Sequence, residues 1–176
     1  MLRSSVHAVL RRDLAAVRRS VEAYPDDASL WEERPGLPNP GGTLVLHITG
    51  NIQHYVGAVL GGSGYKRDRP AEFARRDVPR ADLLAQIDAA IAAVDRGFMT
   101  LNDDHLTAAY PEQIAGRSVA TGDFLVHLAV HLTYHLGQLD YHRRVVTGNS
   151  EGVDAISVHA LPDRSASMRA APSRMH

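Results

Sequence analysis

The sequence predicts an all-helical bundle formed by a single domain, on three observations. Four stretches repeat apolar residues at spacings of three and four, which places them on one face of a helix. The segments between these stretches are rich in Pro and Gly, which sustain no regular element. A length of 176 residues, with 44% hydrophobic and 22% charged side chains, suits one soluble core and neither a disordered nor a membrane-embedded chain.

The first helix is expected over about residues 2–23, with Val6, Val9, Leu10, Leu14, Val17 and Val21 on one stripe and Pro25-Asp26-Asp27 ending it. The run from Pro35 to Gly42 reads as a loop, because its prolines lack donors and its glycines are conformationally free. Thr43 opens the second helix, where Leu44, His47, Ile48, Asn51, Tyr55 and Val59 share one side until Gly61-Gly62-Ser63-Gly64 stops it. A third helix over about residues 80–98 carries Leu83, Leu84, Ile87, Ile91 and Val94 and looks purely structural. Between Leu106 and Ala120 the pattern turns irregular, and Tyr110-Pro111 and Gly116 permit a short hairpin. The fourth and longest helix begins after Thr121, read as its N-cap, and runs to about Val146 before Gly148. The expected division is a bundle over residues 1–148 and a loosely ordered extension over 149–176, where Ser, Arg, Ala and Pro offer little to a core.

Charge and composition exclude several functions. Nineteen basic against twenty acidic residues give a net charge of -1, which removes the usual electrostatic reason for nucleic-acid binding. Arg11-Arg12 and Arg18-Arg19 read as a solvated helix face. No segment approaches the roughly 18 consecutive apolar residues of a membrane span. Arg3, His7, Arg11 and Asp13 interrupt what a signal peptide would need, so the expected location is the cytoplasm. The absence of cysteine excludes disulfides, thiolate ligands and a cysteine nucleophile, so any metal must rest on His, Asp or Glu.

Ten histidines are present, and four of them, His127, His131, His135 and His142, fall in the fourth helix. Residues four apart on a helix face the same way, roughly 5–6 Å between Cβ atoms, so two imidazoles can converge on one ion. His127 and His135 are about 12 Å apart along the axis, which forces a choice between the pairs His127–His131 and His131–His135. The second helix offers His47 or His54 as a third ligand. His47 is favoured because Leu44, Val45, Leu46 and Ile48 around it imply depth, and a deep ring needs a partner. The competing reading is a set of ordinary histidines bonded to neighbours, in a scaffold or interaction protein. Asn51 and Gln138, each one turn beyond a candidate ligand, are candidates for supporting the ligands or binding substrate, and for plain backbone satisfaction. Tyr134, His54 and His142 are weaker candidates. No carboxylate is placed by spacing as a general base.

The residues resemble a known family at this point. Leu44-Val45-Leu46-His47 and His131-Leu132-Thr133-Tyr134-His135-Leu136-Gly137-Gln138 are similar to the DinB/YfiT-like metal-binding bundles. Leu30-Trp31-Glu32-Glu33-Arg34-Pro35 resembles that family's approach to its second helix, and Arg67-Asp68-Arg69-Pro70-Ala71-Glu72-Phe73 a loop of an uncharacterised branch. The resemblance covers about residues 2–148. It implies a four-helix bundle with long crossing connections, often a homodimer, with ligands His47, His131 and His135. The second pair is chosen because His135 is the one followed by Gly137-Gln138, which leaves His127 as an addition to the minimal pattern. The family's name implies no DNA chemistry. Some members are thiol S-transferases or thiol-dependent isomerases that use low-molecular-weight thiols, and many have no known activity.

Three neutral histidines leave a divalent ion with open positions, the arrangement of a catalytic site, and both Zn and Ni suit imidazole. The expectation is therefore a metal-dependent enzyme in which a low-molecular-weight thiol is activated against an electrophilic small-molecule substrate. The alternatives are a metal-dependent hydrolase and a non-catalytic metal or small-ligand binding protein.

Overall fold

The computed structural model describes residues 2–161 and 163, and all the regular structure among them is helical. In chain order the helices are α1 (Leu2–Glu22), α2 (Asp27–Leu30), α3 (Gly41–Ile52), α4 (Arg69–Ala74), α5 (Arg80–Thr100), α6 (Asp103–Thr107) and α7 (Thr121–Thr147). The four long helices, α1, α3, α5 and α7, form the bundle, and the short ones lie in its connections. α1 packs on α5 and α7, and α3 packs on the same two from the other side. Leu10, Leu14 and Val17 of α1 meet Ile48 and Ile52 of α3, Leu83 and Ile87 of α5, and Leu128 and Leu132 of α7 in one core. No helix is long and apolar enough to cross a membrane.

α3 is the central element, with every residue from Gly41 to Ile52 buried. This accounts for the apolar residues on either side of His47, since the face that would meet solvent is covered by α4. Its first turn also departs from expectation. Gly41 and Gly42, read as loop, belong to the helix, because a Cβ on Gly41 would lie 2.5 Å from the Tyr24 hydroxyl and one on Gly42 2.4 Å from the Trp31 ring. Glycine here permits close packing of a helix start, and its flexibility is not used.

After Ile52 the same rod continues as a π-helix over Gln53–Leu60. Its wider turn, closed by bonds such as Gly61 N–H to the Val56 carbonyl at 3.0 Å, ends the 3.6-residue register that aligned Tyr55 and Val59 with His47.

The region between α6 and α7 folds back on itself without becoming a strand pair. Tyr110 N–H donates to the Val119 carbonyl at 2.8 Å, and Ile114 and Arg117 exchange both backbone bonds. Ala115 and Gly116 between them have φ of 50° and 76°, the primed turn that a two-residue hairpin needs. Thr121 is not the N-cap of α7. That position is Ala120, and the Thr121 hydroxyl instead donates to the Ala108 carbonyl at 3.1 Å. At the other end Gly148 closes the helix in the left-handed conformation, φ 66°. Beyond it, Arg144 donates to the Ser150 carbonyl at 3.0 Å and Arg19 to the carbonyls of Val153 and Asp154 at 2.9 and 3.0 Å, which tie this stretch to α7 and α1. Of the extension expected over 149–176, residue 162 and those from 164 onward lie outside the described residues.

Candidate metal centre

α3 and α7 bring three imidazoles to a common point. The Nε2 atom of His131 is 3.3 Å from Nε2 of His47 and 3.1 Å from Nε2 of His135, and the three donor nitrogens all lie within 4.8 Å of one another. Tetrahedral ligands at 2.0–2.1 Å from an ion stand about 3.3 Å apart, so the spacing matches a coordination shell. The rings meet edge-on, at 74° between His47 and His131 and 83° between His131 and His135, which turns their nitrogens inward.

The opposite edges of two rings are anchored. His47 Nδ1 lies 3.0 Å from Glu72 Oε2, and His135 Nδ1 lies 2.7 Å from Gln138 Oε1. Both partners are oxygen acceptors, so both Nδ1 atoms carry the hydrogen and both Nε2 atoms are bare lone pairs. His131 presents the same Nε2 to both neighbours, so at most one of the two contacts can be a hydrogen bond, and with its hydrogen on Nδ1 three lone pairs face one another. A cation at the point of convergence relieves that repulsion. The donor set fits a divalent metal held by His47, His131 and His135.

Glu72 was not visible in the sequence as a site residue. It reaches His47 from α4, an element that no ligand occupies. Arg67 grips both its oxygens, Nε to Oε1 at 2.7 Å and Nη2 to Oε2 at 2.8 Å, and the Arg67 guanidinium lies over the Tyr55 ring. A Cβ on Gly50 would sit 2.2 Å from Glu72 Oε1, so only glycine on α3 leaves room for the carboxylate. Asp68 caps α4 through the Ala71 N–H, and Phe73 packs on the His47 ring at 4.9 Å. The segment from Arg67 to Phe73 therefore forms the outer support of His47. A glycine in mid-helix, at position 50, was the sequence signal that something bulky approaches there.

The electrostatics favour neutral rings at His131 and His135 and an ionised Glu72. Burial pushes His131 down to about 4, with the neighbouring His135 and His47 adding to the effect. Burial also lowers His135, against the opposing bond to Gln138. Burial alone would raise Glu72, but the hydrogen bonds from Arg67 and His47 prevail and hold it below its ordinary value. Metal binding requires neutral imidazole, and burial favours that form at His131 and His135.

The DinB superfamily model matches residues 9–139 of the chain, a span that runs from α1 to α7 and takes in all three histidines and Gln138. The chain belongs to the DinB superfamily. No curated protein and no solved structure matches it.

In this DinB bundle the remaining candidates occupy different places. His127 is exposed and stacks between Phe124 and His131, at ring distances of 5.9 and 6.2 Å, outside the convergent trio. His54 lies on the π-helical segment with Nε2 at 3.2 Å from Glu112 Oε2, also outside the trio. Asn51 is buried, and its Oδ1 has no partner among the described residues. Tyr134 is exposed, with its ring edge-on to His135 at 5.3 Å. His142 is a structural residue. Its Nε2 lies 2.8 Å from the Glu32 carbonyl and its Nδ1 2.8 Å from the Tyr24 hydroxyl, so both nitrogens are used inside the core.

Proposed function

We propose that this DinB protein is a metal-dependent enzyme, a thiol S-transferase that activates a low-molecular-weight thiol for attack on an electrophilic small molecule. The observation that carries the reading is the convergence of three Nε2 atoms with two of the Nδ1 edges fixed by Glu72 and Gln138. A bound divalent ion such as Zn or Ni supplies Lewis acidity at an open position, which lowers the pKa of a thiol placed there. His47, His131 and His135 hold it. Glu72 and Gln138 keep the ring orientations, and Arg67 keeps Glu72 ionised and in place.

A thiol suits this site better than water does. Both oxygens of Glu72 are engaged with Arg67 and His47, so the carboxylate beside the trio is not free to take a proton from water. A thiol, with a pKa of about 8.5 against about 15.7 for water, needs far less help. The sulfur must arrive with a small molecule, because the chain has no cysteine.

The test is elemental analysis of freshly purified protein beside a His131→Ala variant, followed by a thiol-consumption assay with glutathione and an aryl halide. About one divalent ion per chain and chelator-sensitive consumption are expected for the native protein, with both lost in the variant. Equal metal content in the two proteins would overturn the site. Bound metal without thiol turnover would leave a non-catalytic metal-binding protein.

A further inference from the structure

A concave surface lies beyond the Nδ1 edge of the His135 ring, where Gln138 sits. There a groove of about 340 Å³ runs between α7 and the loop that precedes α3. Leu37, Pro38 and Leu44 form one wall, and Tyr134, Gly137 and Tyr141 of α7 form the other, with Gln138 also lining it. The volume falls in the range of small-molecule sites, about 300–1,000 Å³.

Two independent features point to an occupant. Gly137 sits inside a 27-residue helix, where glycine costs roughly 1 kcal/mol relative to alanine. A Cβ there would meet nothing within 4 Å, so no internal packing requires the glycine. Its effect is to leave the bed of the groove open between Tyr134 and Tyr141, one turn to either side. Those two aromatic side chains stand 64% and 70% exposed. The second feature is Gln138, whose Oε1 is committed to His135 Nδ1. Its amide N–H donors have no acceptor among the described residues. His142 adds no polar function to the lining, since both its nitrogens are engaged elsewhere. The groove thus combines an apolar, aromatic-flanked bed with the Gln138 amide donors, and Asn39 adds a second polar side chain to its lining.

We infer that this groove binds a flat apolar molecule, aromatic for preference, that carries one hydrogen-bond acceptor such as a carboxylate, sulfonate or carbonyl. The ring lies over Gly137 between the tyrosines, and the acceptor takes the Gln138 N–H. The groove is closed on one side by the loop at Leu37 and Pro38, which suits a small molecule better than the open trough that a second copy's helix would need. The inference stands apart from the metal reading, because the site requires no ion.

The probe is 8-anilinonaphthalene-1-sulfonate, titrated into the full-length protein with and without chelator. The single tryptophan, Trp31, packs on Gly42 two residues before Leu44 and serves as the energy donor. Saturable one-to-one binding that quenches Trp31 emission is expected, whether or not metal is present. Gly137→Leu, which fills the bed, is expected to weaken binding at least about 10-fold, and Tyr141→Ala about 3-fold to 10-fold. An uncharged analogue without the sulfonate is expected to bind at least about 10-fold more weakly. Metal content and circular dichroism of both variants should match the native protein, which separates loss of the groove from loss of the fold. Non-saturable binding, or binding unchanged in Gly137→Leu, would overturn the inference. So would a native dimer that ignores the probe and falls to a monomer in Gly137→Leu, since the groove would then belong to a second copy.

Discussion

Glu72 and Gly50 act as a pair. The carboxylate reaches His47 only because α3 has no side chain at position 50, and Arg67 holds it there in its ionised form. Partners of this kind set the orientation and basicity of a ligand, and their loss typically weakens metal affinity about 10-fold to 100-fold. Glu72→Gln, which keeps one acceptor for Arg67, is expected to show a loss in that range by competition titration against a chromogenic chelator. Gly50→Ala, which pushes the carboxylate away, should do the same. Native affinity in both would remove Glu72 from the site. The metal-free protein carries a second expectation at this scale. Burial pushes His131 in the folded chain down to about 4 from the ordinary 6.5, so between those values the unfolded chain binds the extra proton. The stability is complete above about pH 6.5 and declines as pH falls toward 4, with the lowered His135 and Glu72 acting in the same direction. Melts of chelator-treated protein at pH 7.5, 5.5 and 4.5 should fall in that order, and a flat profile would contradict the burial of these rings. The three histidines were legible because a spacing of four and an apolar run are local patterns. Glu72 was not, because its bond to His47 spans 25 residues and depends on where a short helix lands.

At the scale of elements, periodicity located the four long helices but not their departures from ideal form. Tyr55 and Val59 were aligned with His47 by a 3.6-residue period, whereas Gln53–Leu60 has the wider π turn. The reason lies in a contact between helices. Gly57 faces the Ala93 Cβ at 2.8 Å from an ideal Cβ position, and Gly97 on α5 would place a Cβ 2.7 Å from both the Val56 carbonyl and its side chain. The π segment and α5 therefore touch nearly backbone to backbone, and nothing in either helix's own pattern announces that. Gly97→Ala is expected to destabilise the protein by about 1–3 kcal/mol through overpacking, read as a lower denaturant midpoint at unchanged slope. Its metal stoichiometry should stay native, because α5 carries none of the three histidines. An unshifted midpoint would show that the two backbones can separate freely. Gly41-Gly42 and Thr121 teach the same lesson, since their roles are set by Tyr24, Trp31 and the Ala108 carbonyl, which the local sequence does not contain.

For the molecule as a whole, the site couples two helices whose ligands lie 84 residues apart in the chain. The all-helical class and the four long helices followed from composition and pattern. The groove beside His135 did not, because it exists only where the loop at Leu37 packs against α7. An ion shared by α3 and α7 would bind the folded bundle and have no comparable site in the unfolded chain, so its binding free energy would add to folding stability. At free metal about 1,000-fold above the dissociation constant the addition is about 4 kcal/mol. For a chain of this size each kcal/mol shifts the melting temperature by about 2–4 °C, so stripping the ion should lower it by roughly 8–16 °C. His131→Ala should melt at one temperature with or without chelator, because two remaining imidazoles on different helices hold the ion too weakly to load it. Scanning calorimetry of both proteins in both states makes the test. A native protein whose melting temperature ignores chelator would mean that no ion joins α3 to α7, since an occupied bridge between two packed helices must raise the free energy of separating them.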